Sequence, residues 1–449
     1  MTEKQDNDDS HIAVVGLGYV GLTLGVALAE TGLKVTGLEV RSDIVKLTNK
    51  GIPHFQERGL QQSLERLVNQ GLISATEDTE KIKTASVFFI TVGTPLNDQG
   101  EINLGSIKNA SHQVAKVMPK NALIIYRSTM QVGTARNIVK PIIESYGKKY
   151  RLSVCPERTL EGKALEELRS LPQIIGGFDE VATERSKRIF DRITKKIINV
   201  SSPETAEVMK LVDNTYRDIQ FGFGNEVANL CNAIEGVDAS EVIRLGKMGY
   251  KRTNVALPGL VGGPCLSKDP HILSQSAKNN GASMSITNAA RKINESAPYE
   301  SVKFILDSMN HIENISVTIA GFAFKGVPET DDLRGSMSIE VLRAFEELSP
   351  SIKIKIFDPI VKKEDLMQYS NHCFNKFSDS IADSHIIVIC NNHEFFSNCD
   401  LRAILEKNKS IGMVYDFWDH FHYLDSDIKK DLKYVSFGSH WLFNQKTIP

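Results

Sequence analysis

Short apolar runs of strand length recur along the first 200 residues, separated by helical patterns. The runs fall at residues 11–15, 34–38, 87–92, 122–126 and 152–155. Buried strands that alternate with helices predict a parallel, doubly wound sheet, because each crossover between parallel strands lays a helix on the sheet. We therefore expect a first α/β domain over residues 11–200.

The pattern then becomes helical. From residue 203 to about residue 235 the apolar positions follow the period of one long helix, and the sequence stays mostly helical to about residue 300. A loop containing glycine and proline interrupts this stretch at residues 258–269. We expect a central helical domain over residues 201–305.

Strand-like runs return in the last third of the chain, at residues 315–321, 352–357, 385–390 and 413–415. A polar or glycine turn follows each run directly, as in parallel α/β units. The pattern predicts a C-terminal α/β domain over residues 306–449. The expected fold class is therefore α/β, with two Rossmann-like parallel-sheet domains joined by a helical connector.

Composition excludes several classes of protein. The chain has 449 residues, of which 41% are apolar and 24% charged, which excludes a fibrous, low-complexity or disordered protein. Its formal net charge is −2, so the overall charge gives no reason to expect nucleic-acid binding. No apolar run is long enough to span a membrane, and residues 1–10 are expected to form a polar, disordered tail and not a signal peptide. Six cysteines without a CxxC pair favour a reduced, cytoplasmic protein. Cys390 and His393 lie three residues apart, but nothing nearby completes a metal site, so no metal is predicted.

A glycine-rich turn follows the first predicted strand. Gly16, Gly18 and Gly21 form GxGxxG between that strand and an Ala-rich helix, and Glu39 ends the next strand. The glycines allow a tight turn, a close approach of pyrophosphate and close helix packing, while the helix N-terminus favours phosphate. A carboxylate at Glu39 accepts the ribose hydroxyls and repels a 2′-phosphate, which predicts NAD. Arg41, two residues on, could instead accommodate that phosphate.

Hydroxyl side chains follow two further strands of this predicted sheet. Thr94 lies in TVGTP after the strand that begins at residue 87, and Thr129 follows the strand that begins at residue 122. Ligands of open α/β sheets bind beyond the carboxyl ends of the strands, so both threonines are candidate ligand contacts. Ordinary turn capping by threonine is the alternative interpretation.

Two polar clusters of the helical region are candidates for catalysis. Lys210 and Asn214 lie four residues apart on one face of the long helical pattern, and a partly buried lysine suits proton transfer. A solvated helix face is the alternative for this pair. Cys265 lies in a Gly-Gly-Pro loop just before a predicted helix, where the helix N-terminus and Lys268 favour the thiolate. Asp269 could orient water or accept its proton.

Together these motifs resemble the UDP-glucose/GDP-mannose dehydrogenase family of nucleotide-sugar 6-dehydrogenases, over nearly the whole chain. The matching segments are GLGYVGL at 16–22, TVGTP at 91–95, STMQVGT at 128–134, PERTLEG at 156–162, KLVDN at 210–214, GGPCLSKD at 262–269 and GFAFKG at 321–326. The resemblance implies oxidation of the sugar C6 alcohol to a carboxylate with two NAD per turnover. A thiolate is needed because its adduct with the intermediate aldehyde can lose a second hydride, giving a thioester that water cleaves.

The resemblance also implies roles for individual residues. Cys265 is the implied nucleophile, Lys210 an oxyanion and proton-transfer group, and Asn214 a group that positions substrate or water. Asp269 is implied to assist proton transfer or water activation, and Glu157 to act through water. The implied catalytic set also includes Thr129, which with Glu161 matches residues near the nicotinamide and the catalytic water. The implied NAD contacts are Gly16, Gly18, Tyr19, Val20, Gly21, Glu39, Thr94, Thr129, Glu161 and Arg334. The implied substrate contacts are Glu157, Arg158, Lys210, Asn214, Arg252, Gly262 and Lys325, and Arg252 resembles an arginine that the family presents to a neighbouring subunit.

Departures from the family pattern leave alternatives open. Many members have Asp-x-Arg after the last strand, whereas residues 416–418 read Asp-Phe-Trp here, and Glu39 replaces a commoner aspartate. Residues 156–158, 261–263 and 269–270 resemble members that act on UDP-N-acetylhexosamines (GlcNAc or ManNAc), which we favour, while residues 161–162 and Lys268 are closer to UDP-glucose members.

Two other classes of function remain open at this point. A β-hydroxyacid-type dehydrogenase would share the N-terminal layout and perform one two-electron step, and a non-catalytic nucleotide-sugar sensor would reduce no NAD. Apolar residues of the helical connector, namely Phe221, Phe223, Val227 and Leu230, predict a homodimer or larger homo-oligomer.

Overall fold

The computed structural model describes residues 9–97, 99–310 and 312–443. The chain divides into two compact units, residues 1–213 with 271–283, and residues 214–270 with 284–449. Of the predicted tail, all but Asp9 and Ser10 lies outside the described residues, and Asp9 forms an ion pair with Arg185. The predicted domain boundaries at residues 200 and 305 stay predictions.

The first unit is built on one sheet in the order β3-β2-β1-β4-β5-β6-β7-β8. Its strands are β1 His11–Val15, β2 Lys34–Leu38, β3 Ile73–Thr76, β4 Val87–Ile90, β5 Ala122–Tyr126, β6 Tyr150–Val154, β7 Gln173–Gly177 and β8 Ile197–Asn199. Neighbouring strands run parallel except β6 and β7, which pair antiparallel. The predicted parallel sheet is confirmed, with this one antiparallel pair as a feature that the pattern did not indicate.

Helices and helical turns connect these strands. They are α1 Tyr19–Ala29, α2 Ser42–Asn49, α3 Leu60–Asn69, α4 Gly105–Val117, α5 Lys140–Glu144, α6 Ala164–Ser170 and α7 Glu180–Phe190, with a 3₁₀ turn at Thr79–Ile82 and a π-helical turn at Ala135–Val139. Alternate residues of the strands pack into two separate apolar clusters: Val14 and Phe89 belong to one, Val15 and Phe88 to the other. Both faces of the sheet are therefore buried, which explains why its strands read as continuous apolar runs.

The helical part of the chain begins with the long helix α8, Pro203–Asn232, close to the predicted span of 203–235. It is followed by α9 Ala239–Gly246, α10 Gly263–Leu266, α11 Asp269–Asn279 and α12 Ser285–Ser308. The prediction placed Cys265 in a loop before a helix; the structure places it inside the short helix α10, since Pro264 favours a helical first turn. None of the helices in the described residues combines the length and the apolar character that a membrane crossing needs.

The second sheet has the order β11-β10-β9-β12-β13-β14, and each neighbouring pair is parallel. Its strands are β9 Ser316–Ala320, β10 Lys353–Phe357, β11 Cys373–Phe374, β12 Ile386–Ile389, β13 Met413–Asp416 and β14 Tyr434–Ser436. Its helices are α13 Met337–Leu348, α14 Lys363–Leu366, α15 Phe377–Ile381, α16 Glu394–Ser397, α17 Leu401–Lys407 and α18 Ser426–Asp431, with a 3₁₀ turn at His440–Leu442. Both sheets thus have the doubly wound strand order. The direction of the strand order reverses between β1 and β4 in the first sheet and between β9 and β12 in the second, and such a reversal opens a crevice at the carboxyl ends of these strands.

Candidate active site

The GxGxxG turn of the first unit has the geometry of a dinucleotide-binding loop. Gly16 adopts φ +90°, which disfavours any other residue, and a Cβ on Gly21 would lie 1.9 Å from the Gly16 carbonyl oxygen. A Cβ on Gly18, by contrast, would meet nothing within 4 Å. The space beside Gly18 adjoins the N-terminus of α1, where Tyr19 and Val20 form the first turn. These features fit a pyrophosphate group.

Glu39, at the end of β2, supports this loop directly. Its buried carboxylate accepts hydrogen bonds from the backbone N–H groups of Leu17 (2.8 Å) and Arg41 (3.0 Å). Arg41 turns its exposed guanidinium to Asp43 at 2.6 Å. A surface ion pair of this kind is weak, so the feature that agrees with NAD is the buried Glu39 carboxylate and not the pairing of Arg41.

Tyr19 links the glycine loop to the PERTLEG segment. Its hydroxyl donates to the Glu57 carboxylate, and the backbone N–H of Gly162 donates to the Tyr19 hydroxyl (2.7 Å) and to Glu57 (2.8 Å). Glu161, the residue before Gly162, is half-buried beside this junction. The sequence analysis missed Glu57, because a single glutamate between two helices carries no local signal.

The threonines after β4 and β5 have different surroundings. The Thr94 hydroxyl donates to the backbone carbonyl of Thr129 at 2.7 Å, so Thr94 holds the two strand ends together. This bond joins residues 35 apart and is not turn capping, and the predicted ligand contact of Thr94 stays a prediction. The side chain of Thr129 is half-buried.

Glu157 is buried in an ion pair with Arg127. Burial by itself would raise the pKa of Glu157, but Arg127 and the backbone N–H groups of Arg158 and Thr159 outweigh it and hold the pKa below its ordinary value. Glu157 is therefore a carboxylate at neutral pH. Arg158 donates to the Pro172 carbonyl at 2.7 Å and approaches Asp213 at 3.3 Å.

Lys210 is buried on the first half of α8, and Glu207 lies one turn before it. The Glu207 carboxylate accepts from the backbone N–H groups of Gly133 (2.6 Å) and Ala135 (2.9 Å), which fixes the segment that follows Thr129. Burial raises the pKa of Glu207 to about 7. The sequence analysis did not select this residue, although its spacing of three from Lys210 puts it on the same helix face.

Asn214 and Asp269 form a buried pair in the second unit. The Asn214 Nδ2 donates to Asp269 Oδ2 at 2.6 Å, and Lys268 Nζ lies 2.5 Å from Asp269 Oδ1. Asp269 is fully buried, whereas Lys268 is partly exposed. The alternative interpretation of Asn214 as a solvated helix residue is therefore wrong.

Cys265 is the exposed one of the six cysteines, all of which lie in the described residues. Cys231 and Cys390 are buried, as expected of core residues, and burial raises the pKa of Cys155 to about 12 and that of Cys399 to about 11. An accessible thiol four residues from a buried carboxylate can act as a nucleophile.

The segment that carries Cys265, including helix α10, packs against the segment between β9 and α13. The Gly263 backbone N–H donates to the Gly335 carbonyl at 2.7 Å. Added Cβ atoms on Gly262, Gly263 and Gly335 would each lie under 3.0 Å from a neighbouring residue. Gly262 is therefore required by packing, and its contact with substrate stays a prediction.

The remaining predicted ligand residues lie on loops of the second unit. Lys325 lies over the ring of Phe324 at 5.2 Å, and exposed Arg252 lies over Tyr250 at 5.0 Å. Arg334 is exposed and forms an ion pair with Asp332 at 2.5 Å. All are cations that could meet phosphate groups.

Trp418, which stands where the Asp-x-Arg pattern has arginine, packs and bonds within the second unit. Trp418 donates its indole N–H to the Cys390 carbonyl at 2.8 Å, and its ring covers Gly259, where a Cβ would lie 2.8 Å away. His393, three residues after Cys390, accepts a hydrogen bond from the Phe395 backbone N–H and caps α16.

The glycine loop gives a prediction that separates folding from cofactor binding. Gly21→Ala puts a methyl group into the Gly16 carbonyl and is expected to cost about 1–3 kcal/mol of unfolding free energy. Gly18→Ala puts its methyl group into open space, so the melting temperature should stay unchanged while the Kd for NAD rises about tenfold or more. Calorimetric melting and NAD titration of both variants check this. An unchanged NAD affinity for Gly18→Ala would contradict the binding site.

Domain signatures of one family match three consecutive parts of the chain. The UDP-glucose/GDP-mannose dehydrogenase family NAD binding domain matches residues 10–194, its central domain matches residues 204–296, and its UDP binding domain matches residues 318–423.

Individual relatives cover nearly the whole chain. A UDP-N-acetyl-D-mannosamine dehydrogenase of Pyrococcus horikoshii is 30% identical over 405 residues, which are 88% of this chain and 92% of the relative. The structure of a UDP-D-ManNAc dehydrogenase from the same organism superposes with a TM-score of 0.85 at 28% identity, covering 96% of this chain and 99% of that one. A UDP-glucose dehydrogenase structure from Pyrobaculum islandicum gives 0.83 at 25% identity, covering 94% and 97%.

Proposed function

Because this chain belongs to the UDP-glucose/GDP-mannose dehydrogenase family and is an NAD-dependent nucleotide-sugar dehydrogenase, we propose that it oxidises the C6 alcohol of a UDP-N-acetylhexosamine to a carboxylate through Cys265. The exposure of Cys265, four residues before the buried Asp269–Asn214 pair, is the observation that carries this proposal.

The reaction removes four electrons from one carbon. NAD supplies the electron acceptor, and since each molecule takes one hydride, the conversion of alcohol to carboxylate consumes two NAD and one water. The first hydride and the hydroxyl proton leave the C6 alcohol, which gives the aldehyde. The Cys265 thiolate then forms a C–S bond to the aldehyde carbon as the C=O π bond breaks, and the carbonyl oxygen takes a proton. Loss of that proton and of the second hydride leaves a thioester on Cys265. Water then breaks the C–S bond, which releases the acid and restores the thiol.

The other predicted polar groups fit the proton transfers that these reaction steps require. In the second unit, Asp269 is a buried carboxylate held by Asn214 and Lys268, suited to accept a proton from the attacking water. Lys210, one turn before Asn214 on α8, is proposed to stabilise the oxyanions with its positive charge. Glu157, kept ionised by Arg127, is proposed to act through water.

NAD is proposed to lie on the glycine loop, its ribose hydroxyls bound by Glu39. Tyr19, Val20, Thr129 and Glu161 are proposed further contacts, and Thr94 supports the backbone of Thr129. Arg334 is proposed to reach the NAD phosphates. For the UDP-sugar, the proposed contacts are Arg158, Arg252, Gly262 and Lys325.

The proposed sugar is UDP-N-acetylglucosamine or UDP-N-acetylmannosamine. The names of the curated relatives support an acetamido sugar, together with the motifs at residues 156–158, 261–263 and 269–270. UDP-glucose is the second candidate, favoured by residues 161–162 and Lys268 and by the structural similarity to the Pyrobaculum islandicum enzyme.

A substrate panel tests both parts of the proposal. UDP-glucose, UDP-GlcNAc, UDP-ManNAc and GDP-mannose are offered with NAD, and the reduced cofactor is counted per sugar consumed. We expect two NADH per sugar and a kcat/KM for one acetamido sugar at least about tenfold above that for UDP-glucose. One NADH per sugar would indicate the two-electron class instead. A panel without any NAD reduction would indicate a nucleotide-sugar sensor.

We also propose that the chain forms a homodimer through α8. Tyr216, Phe223 and Leu230 are exposed and lie seven residues apart, the spacing of a helix–helix seam that can pair with its own copy about a twofold axis. Phe221 and Val227 are half-buried, and Val227 packs onto the core. The exposed seam is therefore narrower than the apolar set predicted from the sequence.

Charged substitutions on this seam are expected to yield monomers. Phe223→Lys with Leu230→Lys should reduce the mass measured by light scattering from at least twice the chain mass of 49.9 kDa to a single chain. Val181→Lys on α7 removes an equally exposed apolar residue elsewhere and should leave the mass unchanged. A monomeric unmodified protein would contradict the dimer.

A further inference from the structure

A row of buried residues, two polar and one glycine, follows one face of α8 beyond Asn214. Asp218, Gly222 and Asn225 lie at steps of four, four and three residues, so the row stays on one side of the helix. Asp218 and Asn225 are fully buried. Buried polar side chains of this kind need partners, and these bond to α12 and to the segment that carries Cys265.

Gly222 brings α12 close enough for this network. A Cβ on Gly222 would lie 2.7 Å from Ala290 Cβ, so a larger residue would push the two helices apart. The next residue of α12, Arg291, donates to Asp218 Oδ1 at 2.6 Å. Asn294, one turn later, donates to the same oxygen at 2.9 Å.

The Arg291 guanidinium also holds both ends of the cysteine segment. One nitrogen, Nη1, donates to the Leu266 carbonyl at 2.9 Å, and the other, Nη2, donates to the Val261 carbonyl at 3.0 Å. These carbonyls stand on either side of residues 262–265. A planar guanidinium has the fixed fork of donors that this arrangement needs, and an ammonium group does not.

We propose that Arg291 is a positioning residue for Cys265: clamped by Asp218, it fixes the carbonyls before and after the nucleophile and so sets where the thiol stands relative to α8. This inference rests on the proposed function, because it assumes that Cys265 captures the aldehyde. Asn225 supports the same segment further upstream, accepting from the Gly259 N–H at 2.9 Å and donating to its carbonyl at 3.1 Å.

Arg291→Lys tests the proposal, because lysine keeps the charge opposite Asp218 but cannot hold both carbonyls. Displacing a reacting atom by about 1 Å costs roughly 100-fold, so kcat is expected to fall about 30- to 100-fold. The Kd for NAD should stay within about threefold, since the proposed NAD contacts lie outside the segment that Arg291 holds. The rate of Cys265 alkylation by iodoacetamide should change in parallel with kcat.

A matched control separates positioning from folding. Arg185 is an equally buried arginine that bridges Asp9 and the Asn121 carbonyl in the first unit. Arg185→Lys should lower the melting temperature about as much as Arg291→Lys while leaving kcat and Cys265 alkylation unchanged. If both variants lose kcat equally, Arg291 has only a structural role and the inference is overturned.

Two further variants keep the outcomes distinct. Asp218→Asn replaces Arg291→Lys as the test if Arg291→Lys does not fold. It removes the charge that holds Arg291 but keeps a hydrogen-bond acceptor, and it is expected to lower kcat about three- to tenfold. Adding Arg291→Lys to Cys265→Ala should not slow the remaining first hydride transfer further. If Arg291→Lys leaves kcat and Cys265 alkylation unchanged while Cys265→Ser is inactive, this inference is overturned and the proposed function stands. Full turnover of Cys265→Ser would instead overturn the proposed function.

Discussion

Replacing Cys265 by serine is expected to reduce net acid formation by about 10³-fold or more, because a hydroxyl is a far weaker nucleophile than a thiolate at neutral pH. The Kd for NAD should stay within about twofold, since the glycine loop and Glu39 are untouched. Acid formation is measured by chromatography of the sugar nucleotides, and NAD binding by calorimetric titration.

The control for this variant is Cys399→Ser. Cys399 is a partly buried cysteine whose Sγ lies 3.4 Å from the Phe395 carbonyl, and it belongs to no proposed site. Its variant should turn over like the unmodified enzyme. Undiminished production of two NADH per sugar by Cys265→Ser would refute the thioester route.

Replacing Asp269 by asparagine is expected to lower kcat about 10²- to 10³-fold. The substitution keeps the shape of the side chain but removes the carboxylate that accepts from Asn214 and pairs with Lys268. An amide in that place must turn its own NH₂ group towards one of these donors, which leaves a buried donor unpaired. Steady-state NADH production measures the effect.

Mass spectrometry of the Asp269→Asn enzyme separates the two roles proposed for this carboxylate. If Asp269 activates the hydrolytic water, a sugar thioester should accumulate on Cys265 during turnover. Asp307→Asn, an exposed aspartate of α12, should behave like the unmodified enzyme. A kcat for Asp269→Asn within tenfold of the unmodified value would contradict a catalytic role.

The sequence by itself determined the fold class, most of the longer strands and the candidate catalytic residues. Strands β1, β2 and β5 begin and end at the predicted residues. β5 is a continuous apolar run because both faces of the sheet are buried, whereas β2 contains Lys34, Thr36 and Gly37 and is indicated by its place after the glycine turn and its helix. Five strands escaped prediction. β3, β8, β11 and β14 have only two to four residues, and β7 has five but includes two glycines and a glutamine. GxGxxG and Gly-Gly-Pro-Cys were recognisable because their chemistry depends on backbone shape within a few residues.

Tertiary structure alone decided which side chains meet. Arg127 joins Glu157 across 30 residues, Asn214 joins Asp269 across 55, and Arg291 joins Asp218 across 73. No local sequence pattern indicates such a pairing, because the two partners lie far apart in the sequence and meet only when the chain folds. Cys265 could therefore be identified as a candidate nucleophile from its neighbours in the sequence, whereas Arg291 and Asp218, which hold its segment, are close to it only in the folded structure.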